Sequence, residues 1–89
     1  MATTNAVPMG KTLHVATEFD IAKGEYRTLS YFGGENGVIY VEKRNSDLSW
    51  NNVKGGALSS GNTPFDLRAD GKFRFNRPPQ AEECAADFD

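Results

Sequence analysis

Residues 26–44, YRTLSYFGGENGVIYVEKR, are the stretch on which the reading of the fold turns. Tyr26 to Phe32 and Val38 to Arg44 are dense in β-branched and aromatic residues. Between them Gly33, Gly34, Asn36 and Gly37 offer the positive φ values that a chain reversal needs. A five-residue loop, Gly33 to Gly37, sets Phe32 opposite Val38, Tyr31 opposite Ile39 and Leu29 opposite Val41. Opposed residues of an antiparallel pair share a face, so Leu29, Tyr31, Ile39 and Val41 form a core face. The other face carries Tyr26, Thr28, Ser30, Phe32, Val38 and Tyr40, which is too apolar to stand bare in water and calls for a cover.

Upstream, Lys11 to Ile21 alternates with period two. Leu13, Val15, Thr17, Phe19 and Ile21 lie on one side, and Thr12, His14, Ala16, Glu18 and Asp20 on the other. A tight turn at Lys23-Gly24-Glu25 sets Phe19 opposite Leu29 and adds a third strand to the core face. Downstream, Thr63 to Asn76 reads as a second hairpin. A three-residue loop, Ala69-Asp70-Gly71, pairs Leu67 with Phe73 and Phe65 with Phe75, leaving Asp66, Arg68, Lys72 and Arg74 on the wet side. Between these hairpins, Asp47 to Lys54 reads as a weak strand and Ala57 to Ser59 as a short one, with Gly55-Gly56 and Gly61 making the remainder loop-like. Trp50 suits either a lid over a sheet face or an anchor in an interface.

These elements predict an all-β domain: a small antiparallel five- or six-stranded sandwich or partly open barrel built from hairpins, over residues 11–77. Residues 1–10, uncharged and without periodicity, are expected to be a flexible arm. After Pro78-Pro79 ends the last strand, residues 78–89 are expected to be an acidic tail, disordered unless docked and dispensable for folding.

The composition narrows the functional classes. The chain has 89 residues, 38% hydrophobic and 25% charged, and near this size a single core holds only marginally without a metal or disulfide. One cysteine, Cys84, permits no internal disulfide, and with His14 alone beside it no structural zinc site is expected. Met9-Gly10-Lys11-Thr12 resembles the end of a phosphate-binding loop, but the first glycine of that motif falls on Asn5 and a strand follows where a helix is required. No apolar run is long enough to span a bilayer and no secretory signal is evident, so a cytoplasmic protein is expected, or a virion protein if the source is a phage. The formal net charge is −2. It is unevenly spread: residues 11–77 hold all ten Lys and Arg with eight acids, whereas residues 78–89 hold four acids and no base.

No catalytic, cofactor-binding or metal-ligating set emerges, and the expectation is a non-enzymatic module without cofactors. Glu18 and Asp20 read as solvating acids, and an acidic neighbourhood disfavours a Cys84 thiolate. The leading reading is a protein-binding or assembly module, such as a phage- or bacterial-type virion component or an inhibitor of a larger machine. Its partner is another protein or a second copy in a homo-oligomer, bound through Tyr26, Phe32, Val38, Tyr40 and Trp50. The alternative is a single-stranded nucleic-acid-binding β barrel that stacks bases on aromatics beside Lys43, Arg44, Lys72 and Arg74. In that reading the Asp87-Phe88-Asp89 ending is similar to the acidic C-terminal tips of single-strand-binding proteins, and the tail is regulatory.

Overall fold

The computed structural model describes residues 6–88. It is all-β, with eight strands: β1 (Val7–Gly10), β2 (His14–Ile21), β3 (Arg27–Gly33), β4 (Ile39–Arg44), β5 (Trp50–Leu58), β6 (Phe65–Leu67), β7 (Gly71–Arg77) and β8 (Cys84–Phe88). They form two antiparallel four-stranded sheets, in the orders β1-β8-β3-β6 and β2-β7-β4-β5. One core lies between contributions from both. Val7, Leu29, Tyr31, Leu67, Cys84 and Ala86 come from the first sheet, and Phe19, Ile21, Ile39, Val41, Leu58, Phe73 and Phe75 from the second. Phe88 of the first sheet stacks on Phe19 of the second at 4.8 Å between ring centroids, and Phe19 in turn meets Phe73 and Phe75. No helix among the described residues is long and apolar enough to cross a membrane.

The apolar residues of β3, β4 and β7 face the core in the alternation that the sequence indicates, but the pairing between strands is different. β3 and β4 do not form a hairpin. β3 pairs with β8 and β6, whereas β4 pairs with β7 and β5 in the other sheet. The reason lies in the glycine passage between them. Gly34 N–H donates to Glu83 O at 3.1 Å, continuing the β8 edge past Gly33, and Gly37 N–H then closes a turn onto Gly34 O at 3.2 Å. The Tyr31 hydroxyl donates to Gly34 O at 2.6 Å and packs where a side chain at Gly37 would stand. The turn chemistry read in the sequence is real, but it serves a crossing between sheets. In the same way β2 pairs with β7 instead of β3, and β6 pairs with β3 instead of β7. The sequence-derived hairpins are therefore replaced by long-range pairings, and the one adjacent pair is β4–β5. Asp47 to Lys54 and Ala57 to Ser59 merge there into a single strand, Trp50–Leu58.

β2 holds a second correction. Its register runs His14, Val15, Ala16 against Arg77, Asn76, Phe75, and then resumes at Phe19 against Phe73. Two residues of β2, Thr17 and Glu18, thus oppose one of β7, which is a β-bulge, and a single inserted residue reverses which side chains face the core. Phe19 and Ile21 are buried as expected, but Leu13 is 61% and Val15 41% exposed. Continuous alternation had placed all four together.

The largest correction concerns the ends of the chain. The expected arm, residues 1–10, contributes β1, whose Val7 is fully buried; residues 1–5 of that arm lie outside the described residues. The expected disordered tail supplies β8, which is inserted between β1 and β3 and has Cys84, Ala85 and Ala86 fully buried. Arg77, at 3% exposure, binds both ends: Nε donates to Thr12 O at 2.9 Å, and Nη1 donates to Cys84 O at 2.9 Å and to Pro8 O. Gly10 is required where the chain passes this guanidinium, since a Cβ there would stand 2.8 Å from Nη2. Beyond Pro79, Gln80 acts as a surrogate strand for Val38, accepting from its N–H and donating to its carbonyl, each at 2.9 Å. Gln80 N–H also donates to Lys11 O at 3.0 Å.

Two stability measurements test this arrangement. Phe73→Ala should cost about 3–5 kcal/mol as a cavity in a rigid core, while Leu13→Ala should change the urea midpoint little, within about 0.5 kcal/mol for an exposed site. Equal losses would place Leu13 back in the core. Arg77→Met should cost about 3 kcal/mol or more, because the buried Cys84 carbonyl and the partly buried carbonyls of Pro8 and Thr12 lose a charged donor. An unchanged midpoint would mean that these ends are held by something else.

Candidate functional site

The side chains proposed from sequence as one binding face are dispersed, because β3 and β4 belong to different sheets. Tyr26, just before β3, is half exposed with the Arg68 guanidinium 4.2 Å from its ring centroid. Phe32 stands exposed on the outer side of the first sheet, opposite Ala85 in register. Val38 lies in the passage between the sheets, tied by Gln80. Only Tyr40 and Trp50 share a face, the outer one of the second sheet.

That face is the most organised polar and aromatic surface of the described chain, and the register lays it out in rungs. Residues alternating with the buried Phe73 and Phe75 on β7, and with Ile39 and Val41 on β4, point outward. The first rung carries Val15, Asn76, Tyr40 and Ala57 on β2, β7, β4 and β5. The second carries Arg74, Glu42 and Asn52, level with the β2 bulge. The third carries Asp20 paired with Lys72 and Arg44 paired with Trp50, one step beyond the Lys43–Phe73 pair that aligns β4 with β7.

Glu42 is the electrostatic centre of this grid. Only 9% exposed, it accepts from Arg74 Nε at 2.6 Å and from Asn76 Nδ2 at 3.2 Å, so its charge is both paired and hydrogen-bonded. The Arg74 guanidinium, held from one side by Glu42, lies 4.2 Å from the Trp50 ring centroid, and Arg44 approaches the same ring at 5.9 Å. Trp50 is thus neither a core lid nor a bare anchor, but an indole fixed between two arginines. Lys72 is held by Asp20 at 3.2 Å and Glu18 at 3.9 Å. Arg44 Nε is a buried donor without a hydrogen-bond partner.

Of the four cations assigned to nucleic acid, Arg44, Lys72 and Arg74 share this face. Lys43 points to its other side, with Nζ 5.9 Å from the Phe73 centroid at the margin of the core. Val15, Glu42, Asn76 and Ala57 were not picked out in the sequence as part of a site. A hydrophobic residue on a bulged strand, and an acid whose partner is 32 positions away, carry no local signal.

Elsewhere the chemistry is muted. The tip of the β4–β5 hairpin is fixed by Asp47, which accepts from Ser49 N–H at 3.1 Å and Ser49 Oγ at 2.6 Å; these bonds hold its carboxyl below the usual range. Leu48 beside it has a positive φ of 72° and is well exposed. Burial pushes the Cys84 thiol up, Arg77 and the Tyr31 hydroxyl oppose that shift, and Glu82 adds to it. The acidic neighbourhood expected to suppress the thiolate is therefore a lesser cause than burial. Comparison with protein-family models, curated proteins and solved structures gives no match to this chain.

The buried thiol makes a pH prediction. Its folded pKa is raised, so above the ordinary thiol value of about 8.5 the unfolded chain loses a proton that the folded chain keeps. Stability should therefore decline as pH rises from that value through the folded one. At pH 8 a chromogenic disulfide reagent should react with Cys84 at least about 100-fold more slowly in the native protein than in urea. Rapid labelling of the native protein would contradict the burial of β8.

Proposed function

We propose that this chain is a non-enzymatic protein-binding or assembly module, a small β-sandwich that acts through the outer face of its second sheet. The observation that carries this reading is the Glu42–Arg74–Trp50 assembly with Tyr40 beside it. Tyr, Trp and Arg are the residues that interface centres favour, and here they are fixed in place before any partner arrives, which reduces the ordering cost of binding. The face is also close to electrically neutral, with Glu18, Asp20 and Glu42 set against Arg44, Lys72 and Arg74. That balance favours a protein partner over single-stranded nucleic acid. A phosphate backbone needs uncommitted cations, whereas Arg74 and Lys72 are occupied, and the Trp50 ring, on which a base would stack, already carries Arg74.

Within the second sheet, recognition through the face is also better supported than recognition through an edge. β2 is bulged and carries Glu18 and Asp20. β5 bulges between its pairings with Tyr40 and Glu42, and Asn62 Nδ2 occupies the carbonyls of Gly55 and Ala57. These features blunt both outer strands against pairing with another chain.

Tyr40→Glu should abolish association, with a second copy or with a protein retained from lysate, by placing an unpaired carboxylate in the contact. Its thermal midpoint should stay within a few degrees of the parent. Mass measurement in solution and an unfolding curve check both halves. Association that survives in a folded variant would exclude this face.

A further inference from the structure

We infer that the tip of the β4–β5 hairpin is a second contact site, at which Leu48 enters an apolar pocket of another protein. This site is separate from the outer face and does not rest on it. The tip is a three-residue loop, Ser46 to Leu48, closed by Asn45 and Ser49. Asn45 N–H donates to Ser49 O at 2.8 Å, and Leu48 N–H donates to Asn45 O at 3.0 Å. A loop of this kind ends on a residue in the left-handed region, and glycine takes that place without steric conflict. At the other described positions with positive φ the chain has glycine: Gly24, Gly33, Gly55 and Gly71. Here alone it has leucine, at a φ of 72°.

Nothing in the fold offsets that choice. The Leu48 side chain is 65% exposed and lies outside the core. The loop is held by other groups: Asn45 Nδ2 donates to Ser49 Oγ at 3.0 Å, and Asp47 Oδ1 accepts from both the backbone N–H and the hydroxyl of Ser49. An exposed leucine alone is ordinary. One held in a left-handed conformation, in a loop that glycine would fit better, is a bulky residue at an unfavourable backbone position. Strain of this kind collects where a side chain serves a contact that the monomer does not make.

The surroundings of Leu48 identify the occupant as a protein pocket that admits one branched aliphatic side chain. Ser46, Asp47 and Ser49 are all exposed around it, so that a single apolar anchor stands within a polar rim. The bonds from Ser49 hold the Asp47 carboxyl below its usual range, and it is ionised at neutral pH. Both bonds fall on Oδ1, which leaves Oδ2 for a Lys or Arg at the edge of the pocket. A carboxylate beside the anchor disfavours an anionic lipid surface or a phosphate backbone. The hydrogen bonds within the loop fix its shape beforehand, which lowers the ordering cost of docking.

Two experiments on the full chain test the inference. Leu48→Gly should raise the thermal midpoint by about 2–5 °C as the strain is relieved. An unchanged or lowered midpoint overturns the inference, since leucine would then suit the loop. The contact itself is read with a photoactivatable diazirine analogue of leucine at position 48. The same analogue at position 13 is the control, because Leu13 is 61% exposed on an ordinary backbone. Irradiated in lysate, the chain labelled at position 48 should form one discrete adduct, and peptide mapping should place it in an apolar pocket with a Lys or Arg at the rim. Excess parent chain should suppress that adduct, and the Leu48→Gly chain should need at least about tenfold more to do so. No adduct, the same adduct from position 13, or equal competition by Leu48→Gly overturns the inference, as does an adduct to lipid, nucleic acid or a second copy of this chain. In a folded Tyr40→Glu background, which removes the outer face, the adduct should persist, and its loss there overturns a separate site.

Discussion

A single buried guanidinium holds the two ends of this chain in place. Arg77 leaves the last position of β7 and takes its three acceptors from Pro8, Thr12 and Cys84, which belong to β1, the β1–β2 corner and β8. A charge so far from water is tolerable because Nε and Nη1 together place three N–H donors on carbonyl oxygens. The arginine and the two ends therefore need each other. Without it, β8 would lose its anchor between β1 and β3, and Leu29, Tyr31 and Val7 would lose the strand that covers them.

This constraint accounts for the connections that follow. With β8 on one edge of β3 and β6 on the other, β3 cannot also pair with β4, and the glycines at 33, 34 and 37 are used to carry the chain to the other sheet. β4 then lies between β7 and β5, so Glu42 comes opposite Arg74 and Tyr40 opposite Asn76. The grid of the outer face is thus a remote consequence of where the ends of the chain dock. The bulge in β2 contributes separately, turning Val15 outward onto the same grid.

The outer face also shows how charge and aromatic groups can be combined without an exposed greasy surface. Glu42 fixes Arg74, Arg74 covers Trp50, and the half-buried pair at 2.6 Å restricts both side chains. Such a network specifies geometry more than it adds stability, because the cost of desolvating two ions offsets most of their attraction. Rigid aromatic and guanidinium groups held in this way are suited to contact with another folded surface.

The sequence by itself determined the strand content, most of the inward-facing residues and the positions of the turns. Period-two alternation is a local property that backbone geometry enforces within each strand, which is why Leu29, Tyr31, Ile39, Val41, Phe73 and Phe75 could be assigned to the core from their spacing. Tertiary structure alone decided which strands pair, because a hairpin and a crossing between sheets use the same glycines and leave the same alternation. It also decided the fate of the polar ends. Residues 80–88 carry too little apolar area to order themselves, and become strand and cap only when Arg77, Val38 and the edges of β1 and β3 supply the missing hydrogen-bond partners. The candidate face was legible only in part for the same reason. Tyr40 and Trp50 are conspicuous in the sequence, but the pairing of Glu42 with Arg74 exists only once β4 and β7 lie side by side.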